Sequence, residues 1–131
     1  MQKGRQTGEK ADITIGLDLG DRWAQLCALD DNGEVVDEGR VKLTRQALTS
    51  RFAGLRPARM ALEAGTHSLW VSALLADLGH EVIVANVREL AAISASTKKS
   101  DRNDAIKLAR YARVDPSILC PIQHRSAVDL G

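Results

Sequence analysis

The residues ITIGLDL (13–19) constrain this chain more than any other segment. The run is short, β-branched and bounded by Gly20, and it reads as a strand buried on both faces. A fold built on it must therefore supply covering layers above and below. Yet the run carries a carboxylate, Asp18, between Leu17 and Leu19. An unpaired buried carboxylate is costly enough that proteins rarely keep one. Either something pairs with Asp18, or the strand ends there and offers it to a ligand.

The next segments restrict the fold further. RWAQLCALD (22–30) predicts a second strand, and DNG (31–33) supplies a turn, Asn before Gly being a strong hairpin signal. EVVDEGRV (34–41) is the return strand, and its imperfect alternation places it near an edge. Thr44 is positioned to cap a helix running to about Leu55, and RPARMALEA (56–64) reads as a loop and a short strand. A helix is expected over 66–80, with Leu69, Trp70, Ala73, Leu74 and Leu78 on one side and Gly79 as its stop. EVIVA (81–85) is another buried strand, and NVRELAAISAS (86–96) a helix capped by Asn86. The last helix covers 101–114, with Ala105, Leu108, Ala109 and Ala112 as its apolar stripe, and Asp115-Pro116 ends it. The order is that of an α/β domain: an antiparallel meander feeding β-α crossovers, whose parallel strands need helices to cover them.

Length and composition agree with one domain. The chain has 131 residues, enough for a single core. Aromatic residues are only 3%, so Leu, Val, Ile and Ala must build that core. A formal charge of +1 indicates no polyanion partner by itself, so any such claim rests on where the charges lie. Cys27 and Cys120 match no metal-ligand spacing and read as free thiols of a reducing compartment. No apolar run reaches the ~18 residues of a membrane span. Residues 1–11 lack the apolar centre of a signal peptide and read as a flexible lead-in, so a cytoplasmic location is expected.

Ligands of parallel sheets collect at the carboxyl ends of strands, and two carboxylates stand there: Asp18 closes the first strand and Glu63 the fourth. Asp101 and Asp104, three apart near the start of the last helix, share one helical face. A helix lying across the sheet would let all four converge. Clustered carboxylates repel unless a cation neutralises them. Magnesium, a hard ion held by a few carboxylates beside substrate phosphates, fits this set, with manganese as its substitute. Two such ions about 3.5–4 Å apart can activate a nucleophile and stabilise the leaving oxygen of a phosphodiester. Each acid also has a plainer role: Asp18 as a turn residue, Glu63 as a polar strand end, Asp101 as a helix cap and Asp104 as a first-turn acid.

Lys98, Lys99, Arg102, Lys107, Arg110 and Arg113 crowd the last helix and the loop before it. Such a run is usually a solvated face, but beside a carboxylate cluster it also suits phosphate contacts. His67, His80 and His124 share no spacing and read as surface or capping residues. Ser68 and Ser100 lack a recognisable base, and nothing suggests a triad.

The ordered set GLDLG, LEAGTHSLW, GHEVIVANVRE and KKSDRNDA, within a stretch from about Ile13 to Arg113, resembles the N-terminal domain of the DEDD transposases of insertion-sequence family one-ten. That family includes the Piv-type pilin-gene invertases. The resemblance implies an RNase H-like, RuvC-like fold: a mixed five-stranded sheet, three strands antiparallel and then parallel ones, flanked by helices. It implies that Asp18, Glu63, Asp101 and Asp104 are the tetrad that binds magnesium. It further implies DNA as the partner, cut and rejoined in transposition or inversion, with a structured guide RNA in several members and an oligomeric full-length protein. Residues 12–115 would be the catalytic domain and 116–131 the opening of a coiled-coil linker. The family's C-terminal domain, with its serine, does not follow in this sequence, which is expected to be an excised domain or truncated product.

Other classes fit less well. Actin-like and sugar-kinase-like ATPases also open with a GLDLG-type strand and a hairpin, but they need a second lobe and a second phosphate loop. A junction resolvase of the same fold needs no missing domain. A non-catalytic module holding nucleic acid or a partner would bind without metal dependence.

Overall fold

The computed structural model describes residues 12–86 and 101–122, with the side chains of 101–103 outside that description. Five strands form one sheet: β1 (Thr14–Leu19), β2 (Trp23–Leu29), β3 (Val35–Lys42), β4 (Arg59–Glu63) and β5 (Glu81–Ala85), in the order β3-β2-β1-β4-β5. The meander is antiparallel through β1, β2 and β3, whereas β4 runs parallel to β1 and β5 parallel to β4. The fold is therefore the mixed sheet expected, with β1 in its centre and β3 on its edge. Of the helix expected over 86–96 only Asn86 is described, and the rest of it, like the lead-in at 1–11, lies outside the described residues.

Alternation along the strands sends side chains to two different layers. Ile15 and Leu17 of β1, Leu26 of β2, Met60 and Leu62 of β4 and Val84 of β5 face α1 (Arg45–Phe52) and α2 (Ser68–Asp77), where Leu48, Phe52, Val71 and Leu75 complete the main core. Thr44 caps α1, its hydroxyl accepting from the Ala47 N–H at 3.1 Å. Arg51 on α1 holds the edge strand through Asp37 at 2.6 Å, an exposed pair of the kind that adds at most about 1 kcal/mol.

α2 turns only part of the expected side inward. Leu74 is buried and Trp70 and Leu78 pack against the core, but Ser68, Val71 and Leu75 are buried as well, whereas Leu69, at 49%, and Ala73 are exposed. SLWVSALLAD is apolar almost all round, so periodicity does not orient it and the sheet does. Gly79 ends the turn at φ +99, a conformation open to glycine. His80, expected as a surface or capping residue, is buried and caps backbone groups: its Nδ1 accepts from the Ala58 N–H at 3.0 Å and its Nε2 stands 2.9 Å from the Phe52 carbonyl, to which it donates. The neutral ring thus ties the end of α1 to the start of β4.

The opposite layer is α3 (Asp101–Val114). Its stripe of Ala105, Leu108, Ala109 and Ala112 is fully buried, as its spacing predicts, against Cys27, Leu29, Ala61, Ile83 and Ala85. Asp115 caps a 3-10 turn (Pro116–Leu119) that returns Leu119 to this layer, and Ile122 bridges to Val84 on the outer edge of β5. Cys27 is buried and Cys120 exposed, and neither is in a disulfide among the described residues. Among the described residues no helix is long and apolar enough to cross a membrane.

Candidate active site

Parallel pairing decides where the first two carboxylates stand. Leu17 of β1 is in register with Leu62 of β4, so Asp18 and Glu63 occupy the next rung of neighbouring strands. Both point to the α3 face, because Asp18 is two residues beyond Gly16 and Glu63 two beyond Ala61, and those two residues contact the α3 layer. Neighbouring strands lie about 4.8 Å apart, a separation across which two such side chains meet one ligand. Asp18 and Glu63 are each half-buried, and each has an interaction partner.

The direction of α3 follows from its contacts. Arg59 at the start of β4 donates to the Ala112 carbonyl at 2.9 Å, and Arg113 donates to the Asp31 carbonyl in the β2–β3 turn at 3.2 Å. The C-terminal end of α3 thus lies over the beginnings of β1 and β4, and its N-terminal end over their carboxylate ends. Gly16 sits beneath Ala105 and Ala109; a Cβ there would overlap the Ala105 carbonyl oxygen and come within 2.7 Å of the Ala109 nitrogen. Two strand residues beyond Gly16 cover about 6.6 Å, the rise of roughly four helical residues. That step leads from Ala105 toward Asp101 and brings Asp104, half-exposed, to the same end of the sheet.

The structure thus sets Asp18 and Glu63 side by side and puts Asp104 on the helix above them. Asp101 begins that helix, and its side chain lies outside the described residues, as do Lys98, Lys99 and the side chain of Arg102. Among the described residues no three Asp, Glu, His or Cys side chains close into a metal-sized group. The donor set is nonetheless one of hard oxygens from adjacent strand ends, which suits a small divalent cation.

The remaining polar groups divide cleanly. Lys107 is half-buried and Arg110 exposed on α3, whereas Arg113 is committed to the β2–β3 turn. Ser68 is spent on a local turn: its hydroxyl accepts from the Gly65 N–H at 3.0 Å and donates to the Gly65 carbonyl at 2.9 Å. His67 accepts from the Trp70 indole at 3.1 Å. His124 and Ser100 lie outside the described residues.

Sequence reasoning missed the other wall of the site. An open depression of about 410 Å³ joins Asp18 to Gln25, Trp23 and Arg40. Register explains it: Asp18 pairs with Gln25, and Gln25 with Arg40, in one row across three strands. The scarcity of aromatic residues was the available signal, since Trp23 stands where the hairpin re-enters the sheet rather than in a core position.

Comparison with known proteins agrees with this architecture. The chain is similar to the Thermus thermophilus RuvC structure, at 15% identity and a TM-score of 0.54, over 79% of this chain and 96% of that one. It is likewise similar to T. thermophilus RuvC in complex with Holliday junction substrate, at 14% identity and a TM-score of 0.51, over the same 79% and 96% shares. At that identity the likeness establishes the fold, which is RuvC-like. No curated protein matches the chain. The family model for IS110-type DEDD transposases, described as "Transposase", matches residues 15–129, and the chain belongs to that family.

Proposed function

We propose that this RuvC-like domain carries the metal-dependent phosphodiester chemistry of a DNA transposase or invertase, with Asp18, Glu63, Asp101 and Asp104 as its metal-binding carboxylates. The observation that carries the reading is the shared rung of Asp18 and Glu63 on adjacent parallel strands, facing the helix that bears the other two acids. When bound, Mg2+ neutralises these carboxylates, polarises a phosphodiester oxygen and promotes attack by a water or hydroxyl. Asp18 and Glu63 hold that position from the rigid sheet, Asp104 stands on α3 at the same end, and Asp101 is the first residue of that helix. Lys107 and Arg110 of α3, together with Lys98, Lys99 and Arg102, would take up the DNA backbone, contributing affinity and salt dependence but no sequence readout.

DNA is the partner the family and the cation distribution favour; one of the similar RuvC structures is itself a complex with a Holliday junction substrate. A structured guide RNA and an oligomeric full-length protein, in the cytoplasm, belong to the same reading. So does a division of the chain into a lead-in at 1–11, a catalytic unit at 12–115 and a connection to a further domain from 116. The family match directs the reading to recombination rather than to a stand-alone junction resolvase.

The test is calorimetric titration of MgCl2 and MnCl2 into the folded chain, with and without branched DNA. Saturable binding is expected in the wild type and is lost in Asp18→Ala and Glu63→Ala. A folded wild type that takes up neither ion, even on DNA, would sink the metal-site reading.

A further inference from the structure

Trp23 is one of only four aromatic residues of the Trp, Tyr and Phe types in the chain, and the residue is 40% exposed. It follows a tight turn closed by the Gly20 N–H on the Trp23 carbonyl at 2.8 Å, which fixes it at the lip of the depression that holds Asp18. The Arg40 guanidinium lies over the ring, 4.1 Å from its centroid. Lys42 is the cross-strand partner of Trp23, and Gln25 stands between Asp18 and Arg40. Alternation places Trp23, Gln25, Arg40 and Lys42 on the same face as Asp18. Trp23 and Asp18 are diagonal neighbours, about 7–8 Å apart and within reach of an aromatic side chain. Among the described residues, neither Arg40 nor Lys42 is in an ion pair.

We propose that Trp23 and Arg40 form a stacking platform for an unpaired DNA strand lying beside the carboxylate site. Exposed aromatic and guanidinium planes extend a base stack, and adjacent cations hold the backbone. A base inside a duplex has both faces covered by its neighbours, so the platform takes a base that has left the stack. Arg40 and Lys42 then meet the phosphates on either side of it, and the Gln25 amide faces the nucleotide nearest Asp18. This deepens the nuclease reading, and rests on it for the nature of the strand.

The test is fluorescence anisotropy of labelled single-stranded oligothymidine, and of a duplex of matched length, with the 131-residue chain in EDTA. Trp23→Ala is expected to weaken single-strand binding about tenfold or more, with duplex binding changed by less than about twofold. Trp23→Phe, which keeps a stacking face, retains most of the affinity. Arg40→Ala is expected to lower the slope of log affinity against log salt by about one contact. The platform is overturned if the wild type does not bind the single strand, if Trp23→Ala binds it like the wild type, or if that variant loses single strand and duplex equally. EDTA keeps the outcome separate from the metal site: a chain that holds the strand through Trp23 yet takes up no manganese retires the carboxylate reading alone.

Discussion

Between β1 and the α1–α2 layer stand Leu17, Leu62, Met60, Leu48, Phe52 and Leu75; between β1 and α3 stand Gly16, Ala61, Ala105 and Ala109. The first face is filled with large side chains, each contributing roughly 1.5–3 kcal/mol by leaving water. On the second, backbone meets backbone at Gly16 among Ala61, Ala105 and Ala109, while Leu29, Leu108, Ile83 and Leu119 supply its larger buried side chains. The candidate carboxylates Asp18 and Glu63 lie on the second face. The division separates two requirements: one layer supplies most of the hydrophobic stabilisation, and the other sets a short, well-defined distance between a helix and the strand ends.

Three substitutions would break or sharpen that contrast. The largest loss of stability is expected from Phe52→Ala on the large-residue face, about 3–5 kcal/mol from lost burial and the cavity left behind. Urea unfolding measures it, and the metal affinity of the fraction still folded should be unchanged. Gly16→Ala adds only a methyl, but the atoms it meets belong to the α3 backbone and cannot rotate away. Its expected cost is about 1–3 kcal/mol, together with a loss of metal affinity out of proportion to that cost, because α3 must lift away from β1. If Gly16→Ala lowered stability and left manganese affinity intact, the spacing of the two layers would not govern the site. Thr44→Ala removes the cap of α1 on the far face and should cost about 1 kcal/mol in thermal unfolding, with no effect on metal or DNA binding.

What could be read before the structure follows the same division. β-Branched apolar runs and the Asn-Gly turn mark the strands because local chemistry decides them, and the alanine stripe of α3 shows its buried side directly. α2 revealed only part of its buried side, since apolar residues surround it and the sheet chooses among them. That His80 is buried was not legible, because the two backbone groups it caps, on Ala58 and Phe52, are 22 and 28 positions away. Asp18 and Glu63 could be picked out as strand-end acids, and the pairing of Leu17 with Leu62 turns that into neighbourhood. The Trp23–Arg40 contact depends on the register of an edge strand, which no local pattern encodes.

Gly16 also has a consequence for how such a site drifts or is redesigned. The gap between α3 and β1 behaves as a mechanical tolerance, and any added atom at Gly16, Ala105 or Ala109 acts as a shim. A shim at any of these positions would change the reach of Asp104 toward Asp18 while every acid stayed in place. A chain of this kind can therefore keep all of its acids and still lose its chemistry through one methyl group buried a full turn away.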